Sequence, residues 1–565
     1  MKGNQIKDRL NRSSKEDWSD ELLALEAVGL AGEILSAAKK EEGLLERYEG
    51  WKLHRMLGDQ DGKVFAFEMA DQVFRPRSGW RAASQFRYLL ERRGVPLYLP
   101  LHERIALVLA ALASRIVPEW IMSAVTAKMM HESRKVVLRG EPGFLDRHIA
   151  KRGQMGARLN LNILGEAILG EEEASCRLVE NVKRLESSEC DYISVKISSI
   201  FSQVSVLAFE DTLEKVKEPL RTLYRAAQGN PVRGRSKFVN LDMEEYRDLH
   251  LTCRAFMEVL SEDEFFDLEA GIVLQAYLPD SFELQKSLTK WACLRRSRGG
   301  GRIKLRIVKG ANLAMEKVEA AAHGWEQAPY GCKNEVDANF KRMLHYACEK
   351  KRAHAVRVGV GSHNLFDVSY ALLLREREDV RGEVEIEMLE GMANHQARAV
   401  EKAGGSLLFY APVVLRENFH SAIAYLVRRL DENTAPQNFL HDLFGMRLGD
   451  EKWEEQKEKF LRACAMKDEV SALPTRKQNR RVVSRESAST AFCNEPDTDW
   501  TLGVNREWIE GIRHEAEIPE TIGIQVAGTV RYPSERQESH DPCKPDGSLY
   551  RFCLAGEKDV EQALE

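Results

Sequence analysis

The first 150 residues carry apolar side chains three and four positions apart, which is the spacing of helices that bury one face. Two segments show this spacing, LLALEAVGLAGEILSAAKK and RIALVLAALASRIVPEWIMSAVTAKMM. Three prolines interrupt the stretch, at Pro96, Pro100 and Pro118. Because no group of catalytic residue types occurs here, we predict an N-terminal helical domain over residues 1–150 that serves as a cap or a dimerisation arm.

From residue 151 the pattern changes to short apolar or alternating runs, each followed by a charged segment with helical spacing. There are eight such runs, at 158–164, 192–200, 237–243, 270–277, 303–310, 355–362, 383–389 and 406–413. Strands that alternate with helices predict parallel βαβ units, and eight units over about 275 residues match a (β/α)8 barrel. An open doubly wound sheet also accommodates the repeat, but it normally has fewer strands and a glycine-rich first turn. We predict an α/β fold with the barrel over 151–464.

The chain after residue 464 loses this regularity. Residues 465–500 are polar, charged and aperiodic, which is typical of a linker. Residues 501–565 contain the strand-like pieces TIGIQVAGTVRY and SLYRFCLAG and end in an apparent helix start, EKDVEQALE. A segment this short cannot build a large second core, so we expect an incomplete C-terminal domain.

Composition narrows the class of protein. The chain has 565 residues, of which 43% are hydrophobic and 30% charged, as in a globular protein with a sizeable core. A net charge of −5 argues against nucleic-acid binding. No apolar run approaches the ~18 residues of a membrane span, and the first residues do not form a secretory signal. Ten cysteines without a C-x-x-C pair indicate reduced thiols, so we expect a cytoplasmic protein.

In a barrel of this kind, functional residues lie at the carboxyl ends of the strands and in the loops that follow. This rule selects thirteen strand-end positions and two arginines of the last barrel helix: Glu166, Lys196, Asp242, Gln275, Arg306, Lys309, Gly310, Ala311, His363, Asn364, Leu389, Glu390, Tyr410, Arg428 and Arg429. The set is mostly cationic and would attract an anion such as a carboxylate or a pyrophosphate. An arginine pair suits a carboxylate because the guanidinium fork matches its two oxygens.

Several of these positions have ordinary explanations as well. Lys196 alternates with Val195 on its strand and alone fits a structural ion pair as well as a ligand contact, although the arginine pair favours the ligand. Glycine after a strand, as at Gly310, is common. Half of histidines placed like His363 only satisfy a helix start, and Asn364 fits a helix cap.

The sequence lacks several familiar motifs. It contains no G-x-G-x-x-G after a strand, no G-x-x-x-x-G-K-[ST], no H-E-x-x-H and no G-x-S-x-G. A Rossmann or P-loop nucleotide site, a metal site and a nucleophilic serine elbow are therefore not predicted.

Short stretches in every barrel unit resemble the proline dehydrogenase domain of the bifunctional proline utilization A family. They run in order through about 300 residues, as barrel units do: NLNILGEA (160–167), YISVKISSIFSQ (192–203), VNLDMEEY (239–246), VLQAY (273–277), LRIVKGANLAMEKVEA (305–320), GSHN (361–364), MLEGMA (388–393), YAPV (410–413) and YLVRRLDEN (425–433). The resemblance implies a (β/α)8 barrel that binds FAD without a Rossmann motif. It also implies oxidation of L-proline to Δ1-pyrroline-5-carboxylate, with electrons passed to quinone.

The resemblance implies a role for each matching residue. Lys196, Arg428 and Arg429 look like the clamp on the proline carboxylate, and Glu166 like the residue that orients the arginine pair. The expected pocket residues are Asp242, Tyr410 and Leu389. The expected cofactor contacts are Arg306 near flavin N5, Gln275 at the isoalloxazine, the backbone of Val308, Gly310 and Ala311, Lys333 at the pyrophosphate, His363 and Asn364 on the adenosine side, and Glu432 at the ribityl or ribose.

Two departures from the family pattern accompany these matches. Asn312 stands where many members have tyrosine, which bears on substrate fit. Gly331 and Val336 flank Lys333 where hydroxyl residues are common, so we expect one or two phosphate hydrogen bonds fewer. No metal is implied.

The tail resembles the entry into the aldehyde dehydrogenase half of that family, in WTLGVNREWIEGI and LAGEKDVEQALE. The NAD fold and nucleophilic cysteine of that half are not in this chain, so a separate pyrroline-5-carboxylate dehydrogenase is the expected partner. A homo-oligomer and a peripheral contact with the inner face of the membrane stay open. A non-catalytic barrel remnant stays the main alternative, and the arginine pair disfavours a folate reductase-like flavin barrel.

Overall fold

The computed structural model describes residues 2–76, 78–134, 136–164, 168, 170–231, 236–404, 407–416, 418, 422, 425–426, 429, 438–443, 445–482, 494–515 and 520–565. By contacts between residues the chain divides into two compact units. The first comprises residues 1–477 with 494–497, and the second comprises 478–493 with 498–565.

The first unit contains a closed barrel of eight parallel strands. The strands of the chain are β1 (Leu138–Arg139), β2 (Arg158–Ile163), β3 (Tyr192–Lys196), β4 (Phe238–Asp242), β5 (Ala270–Gln275), β6 (Ile303–Val308), β7 (Val356–Gly361), β8 (Val384–Leu389), β9 (Leu407–Val414), β10 (Thr521–Ile522), β11 (Ile524–Val526), β12 (Thr529–Arg531), β13 (Arg536–Asp541) and β14 (Lys544–Cys553). Strands β2 to β9 pair in order, and β9 closes the ring by pairing with both β8 and β2. The predicted (β/α)8 barrel is confirmed.

The strand bounds depart from the sequence pattern mainly at the second barrel strand. It is predicted over 192–200, but β3 ends at Lys196 and a short helix, Ile197–Ile200, follows at once. The two-residue strand β1 is an addition within the region predicted to be helical, and it pairs with the end of β9 through Leu138 and Val413.

Helices cover the outside of the barrel and form most of the N-terminal region. They are α1 (Lys2–Ser13), α2 (Asp20–Glu41), α3 (Leu44–Leu57), α4 (Gln60–Glu68), α5 (Gly79–Arg93), α6 (Leu101–Ala113), α7 (Pro118–Ser133), α8 (Pro142–Gln154), α9 (Glu171–Glu186), α10 (Ile197–Ile200), α11 (Phe209–Gly229), α12 (Leu249–Leu260), α13 (Asp280–Ser297), α14 (Leu313–His323), α15 (Lys333–Cys348), α16 (Lys350–Ala353), α17 (Leu365–Arg377), α18 (Asn394–Gly404), α19 (Phe439–Leu443), α20 (Glu451–Ala465), α21 (Gly503–Glu515) and α22 (Glu557–Leu564). Short polar side chains start several of them. Ser19 accepts a hydrogen bond from the backbone of Leu22 at the start of α2, and Asp450 does the same for Trp453 in α20.

Barrel strands β2, β3, β4, β6 and β8 each have one apolar and one polar face, because successive side chains point to opposite sides. The apolar face packs against the helices in one large core that includes Ile193, Leu241 and Leu305. The polar face fills the barrel with Asn160, Asn162, Ser194, Asn240, Asp242, Lys304, Arg306, Glu385 and Glu387, all of them buried. A barrel interior of this type usually holds branched apolar residues, so this lumen is built for charge.

The N-terminal helices belong to the same compact unit as the barrel. Leu23, Leu30 and Ile34 of α2 are fully buried in the barrel's core. Farther along, Phe65 and Phe86 belong to a second, smaller apolar cluster. The N-terminal region is therefore tied to the barrel chiefly through α1 and α2.

The second unit consists of α21, α22 and two small sheets. Strands β10, β14 and β13 form one sheet in that order, and β11 pairs with β12 in a hairpin. Across the described residues, none of the helices has both the length and the apolar character that crossing a bilayer would require.

Candidate active site

Arg306, at the carboxyl end of β6, lies at the centre of a buried polar network. Its Nη1 is 3.3 Å from Asp242 Oδ1 on β4, and its Nε is 3.0 Å from Glu387 Oε2 on β8. The guanidinium carbon also lies 4.4 Å from the ring centroid of Tyr410 on β9. These contacts bring together strands that are not neighbours in the sheet, so the side chains meet inside the barrel.

Asp242 is the second centre of this network. The hydroxyl of Tyr410 donates to Asp242 Oδ2 at 2.8 Å, and the amide of Asn240 donates to Oδ1 at 3.0 Å. Burial and the Asp242 carboxylate raise the pKa of Tyr410 well above its usual value. The Tyr410 phenol therefore keeps its proton and acts as a hydrogen-bond donor.

Deeper in the lumen, Lys304 joins two carboxylates of β8. Its ammonium lies 2.7 Å from Glu385 Oε2 and 2.6 Å from Glu387 Oε1. Burial opposes the charge of Lys304, but Glu387 and Glu385 outweigh it and raise the pKa of this lysine. For Arg306 burial again acts against the charge, and Glu387 and Asp242 raise its pKa. Both groups therefore stay cationic inside the barrel.

Gly359 on β7 makes room for this cluster. A Cβ at this position would lie 2.1 Å from Glu387 Oε1 and 3.0 Å from Lys304 Cε. Any larger residue would displace the buried ion pair, so the glycine is required by close approach of side chains.

Lys196 and Gln275 lie on the same rim, beside Glu244. The Lys196 ammonium is 2.7 Å from Glu244 Oε2. The Gln275 amide donates to the backbone oxygens of Met243 and Glu244, at 3.4 and 3.3 Å. Lys196 therefore forms an ion pair within the protein. A structural ion pair was one of the two roles that its sequence position allowed, the other being a ligand contact.

A second ionic cluster occupies the rim above β6 and β7. Lys309 lies 2.6 Å from both Asp337 and Asp367, while Lys333 lies 2.6 Å from Asp337. Lys341 lies 2.9 Å from Asp367. Three ammonium groups thus share two carboxylates. Burial, together with the nearby Lys309, lowers the pKa of Lys333 despite the Asp337 carboxylate.

Gly310 adopts a backbone conformation that other residues avoid. Its φ is +119°, and a Cβ would lie 2.5 Å from the ring of Tyr277. The chain before it is fixed, because Val308 and Lys309 accept hydrogen bonds from Ala276 and Tyr277 at 2.7 and 2.8 Å. An exposed backbone surface results at Gly310 and Ala311, where a ligand can approach closely.

Asn312 is buried at the start of α14, where its carbonyl oxygen accepts a hydrogen bond from Glu316. Its side chain makes no capping hydrogen bond to the helix. Gly331 is exposed and Val336 is partly buried, on either side of Lys333. The two sequence departures thus lie close to rim residues, with Val336 packed against the core.

His363 follows β7 and contacts the end of β8. Its Nε2 accepts a 2.9 Å hydrogen bond from the backbone N–H of Leu389, which places the ring proton on Nδ1. Nδ1 is buried and has no hydrogen-bond partner within the described part of the chain. Burial and the charge of Arg429 lower the pKa of His363 to about 4, so the ring is neutral. Asn364 caps α17 through the backbone N–H of Phe366 at 2.9 Å.

Glu390 ties the rim to helix α8. Arg152 binds it through two nitrogens at 2.9 and 2.7 Å, and His148 Nε2 lies 3.0 Å from Oε1. Burial works against ionisation of Glu390, but the hydrogen bonds from His148 and Arg152 lower its pKa. Glu390 is therefore bound within the protein.

The structure brings Asp242, Arg306 and Tyr410 into direct contact and places the other described candidates around them on the same rim. The rim is less cationic than the sequence predicts, because each of Lys196, Arg306, Lys309 and Lys333 has a carboxylate beside it. Arg429 is half-buried, 5.0 Å from the ring of Tyr425. Three candidates lie outside the described residues: Glu166, Arg428 and Glu432.

Sequence reasoning selected Asp242 and Arg306 but missed three other members of the network, Lys304, Glu385 and Glu387. Glu385 and Glu387 alternate with Val384, Ile386 and Met388 on β8, and Lys304 alternates with Ile303 and Leu305 on β6. That alternation is the signal of a polar lumen, and it was available in the sequence.

Comparisons with known proteins agree with the barrel fold and identify a family. The family model described as proline dehydrogenase matches residues 145–442, more than half of the chain. A curated relative, the bifunctional protein PutA of Rhizobium meliloti, is 30% identical over 217 residues, which are 36% of this chain and 16% of that protein.

Two solved structures are similar as well. Proline utilization A from Corynebacterium freiburgense is 41% identical and covers 68% of this chain and 37% of its own, with a TM-score of 0.60. The Bdellovibrio bacteriovorus protein, solved after inactivation by N-propargylglycine, is 25% identical and covers 96% of this chain and 53% of its own, with a TM-score of 0.75. The chain spans 16% of the curated relative and about half or less of these two structures.

Proposed function

This chain belongs to the proline dehydrogenase family, and we propose that it oxidises L-proline to Δ1-pyrroline-5-carboxylate with FAD as the oxidant, the first step of proline catabolism to glutamate. The observation that carries the proposal is the position of Arg306. It is a cation held by Asp242 and Glu387 at the carboxyl rim of a barrel, the end where enzymes with this fold have their active sites.

The described residues fit a flavin dinucleotide in three respects. The backbone at Gly310 is exposed and open to a ligand, and a side chain there would push against the Tyr277 ring and shift this backbone. The cluster of Lys309, Lys333 and Lys341 has one positive charge more than its two carboxylates, which suits a pyrophosphate. The buried Nδ1–H of His363 is a donor that lacks a partner among the described residues. When bound, FAD supplies the two-electron acceptor that no side chain can provide.

We assign the cofactor contacts accordingly. Arg306 and Gln275 would contact the ring system, with the backbone of Val308, Gly310 and Ala311 beside it. Lys333 would contact the pyrophosphate, His363 and Asn364 the adenosine side, and Glu432 the ribityl or ribose. These assignments follow the family resemblance and the order of the residues along the rim.

For the substrate we propose a clamp on the carboxylate formed by Lys196, Arg428 and Arg429, with Glu166 orienting the arginines. Asp242, Tyr410, Leu389 and Asn312 would form the wall of the pocket. Holding both ends of a small substrate in one orientation removes much of the entropic cost of the reaction, on the order of several kcal/mol. In this arrangement Lys196 exchanges Glu244 for the substrate carboxylate.

The protein's own groups would supply orientation and charge. Tyr410 keeps its proton because its pKa is raised, so it can donate a hydrogen bond but does not act as a base. Arg306 stays cationic because its pKa is raised, and it would stabilise negative charge that develops near it.

The electron acceptor and the enzyme that uses the product are part of the same proposal. Quinone would be the electron acceptor, reached from the cytoplasm by peripheral contact with the inner face of the membrane. A separate pyrroline-5-carboxylate dehydrogenase would consume the product. The support for these points is the family resemblance.

The test is the visible spectrum of the purified chain. We expect a flavin absorbance band that bleaches when L-proline is added without oxygen and does not bleach with D-proline. Flavin that binds but stays oxidised with L-proline would favour the non-catalytic remnant. A chain that binds no FAD, even when FAD is supplied, would contradict the proposal.

A further inference from the structure

Glu387 is the second carboxylate beside the guanidinium of Arg306, after Asp242. Its side chain is 0% exposed, and its two oxygens divide between Lys304 and Arg306, at 2.6 and 3.0 Å. Nη1 of Arg306 hydrogen-bonds to Asp242, and its Nε lies beside Glu387 as an ion pair without a hydrogen bond, so the guanidinium has two carboxylates within 3.3 Å.

We propose that Glu387 is a positioning residue for Arg306, which sets both the orientation of this cation and the net positive charge that it presents to the bound flavin. The inference rests on the proposed function, since it needs Arg306 beside the flavin. It assigns a role to a residue of the lumen that has no expected contact with substrate or cofactor.

The balance of positive and negative charges in the lumen supports this role. The cluster contains two cations, Lys304 and Arg306, and three carboxylates, Asp242, Glu385 and Glu387. Inside a barrel these charges are poorly screened, so a single carboxylate changes the local potential far more than it would at the surface. Replacing Glu387 with a neutral residue would leave Asp242 as the one carboxylate within ion-pair distance of Arg306 among the described residues, so the attraction that draws the guanidinium toward β8 would be lost.

Glu385 provides a matched comparison. Both glutamates lie on β8, two residues apart, and both bind the ammonium of Lys304. The described contacts of Glu385 are with Lys304 and, at 3.6 Å, Arg158, whereas Glu387 reaches Arg306. The changes Glu387→Gln and Glu385→Gln therefore each remove one negative charge beside Lys304. Of the two, Glu387→Gln alone also removes a carboxylate that lies beside Arg306.

The experiment measures the two-electron midpoint potential of the flavin-loaded chain by dithionite titration against a reference dye, without proline. Losing a carboxylate beside Arg306 makes the surroundings more positive, which favours the electron-rich reduced flavin. We expect Glu387→Gln to raise the equilibrium constant for reduction about tenfold, or about 30 mV for two electrons. Glu385→Gln should change it less than threefold, and both variants should retain the FAD content of the wild-type chain.

A third variant separates charge from orientation. Glu387→Asp keeps the carboxylate but shortens its reach. The midpoint potential should therefore return toward the wild-type value. Because the shorter side chain no longer orients Arg306 correctly, kcat for L-proline should stay below the wild-type value, with KM unchanged. Its potential can also be measured if Glu387→Gln does not fold. Equal shifts in the two Gln variants, or no shift in either, would overturn the proposal. A wild-type chain that holds FAD but is not reduced by L-proline would contradict the proposed function alone, because the potential is measured without proline.

Discussion

The hydroxyl of Tyr410 donates a 2.8 Å hydrogen bond to Asp242 across the inside of the barrel, although the two residues are 168 positions apart in the chain. Arg306 lies against both, 3.3 Å from Asp242 and 4.4 Å from the Tyr410 ring centroid. Three distant stretches of sequence therefore form one contact at the rim. This contact is the structural basis for placing the reaction there.

The Tyr410 hydrogen bond should contribute to both stability and substrate binding. Tyr410→Phe removes the donor to a buried carboxylate, which costs about 1.5–3 kcal/mol of unfolding free energy. We expect a lower denaturation midpoint and a raised KM for L-proline. Tyr48→Phe, at a partly exposed tyrosine of α3, is the control. Equal midpoints for the wild-type chain and Tyr410→Phe would show that this hydrogen bond contributes no net stability.

Gly310 should be required for cofactor binding. Gly310→Ala forces a side chain into a φ of +119° and within 2.5 Å of the Tyr277 ring, so the loop must shift. We expect at least a tenfold loss of FAD affinity, measured by flavin fluorescence during titration of the apoprotein. Gly382→Ala is the control, because a Cβ there meets nothing within 4 Å. Equal FAD affinity in both variants would contradict the proposed backbone contact.

The stability of the ionic cluster above β6 and β7 should depend on Asp367. Asp367→Asn leaves the buried Lys341 with a neutral partner and Lys309 with Asp337 as its carboxylate, and breaking a buried pair costs about 3–5 kcal/mol. We expect a large fall in the urea midpoint. Asp379→Asn removes an exposed partner of Lys350 at 2.6 Å and should leave the midpoint unchanged. The account of this cluster is wrong if both variants unfold at the same urea concentration.

Asp248 should make stability depend on pH. Burial raises its pKa to about 7; the charge of Arg247 opposes this rise and nearby glutamates add to it. Between pH 4 and 7 the folded chain holds a proton that the unfolded chain releases, so the free energy of unfolding falls as pH rises. The asparagine of Asp248→Asn stays neutral at every pH. At pH 8 we therefore expect the free energy of unfolding of Asp248→Asn to exceed that of the wild-type chain by about a few kcal/mol.

The measurement for Asp248 is the urea midpoint of both proteins at pH 5 and pH 8. The gap should shrink at the lower pH, where the wild-type carboxyl is protonated as well. Asp263→Asn, at an exposed aspartate of the loop before β5, is the control. A gap that is the same at both pH values would contradict the raised pKa.

The sequence predicted the barrel well because its signals are local. Each strand is a short run between charged helices, and the bounds of β4, β5 and β8 differ from the pattern by at most two residues. The rule that active sites lie at strand ends also placed Asp242, Arg306 and Tyr410 on one rim, and these do meet.

The ionic partners could not be predicted as easily, because they depend on which strands face one another across the lumen. Lys304 and Glu387 are 83 positions apart on strands that are not adjacent, and their pairing needs the closed ring. Glu244, the partner of Lys196, lies in a loop without a periodic pattern. Alternation on β6 and β8 indicated polar interior residues, but only the fold shows which cation each carboxylate meets.

The central claim is that this rim binds the carboxylate of L-proline, and Arg429 tests it most directly. The measurement is the L-proline concentration that gives half-maximal bleaching of the bound flavin, in the wild-type chain and in Arg429→Met. Arg296→Met is the matched control, since Arg296 binds Gly300 in the loop before β6, at the opposite end of the barrel.

We predict that Arg429→Met raises the half-maximal proline concentration more than tenfold, while FAD content and the Arg296→Met value stay at wild-type levels. A change of less than about twofold in Arg429→Met, which is under ~0.5 kcal/mol, would contradict the carboxylate clamp and with it the account of this site.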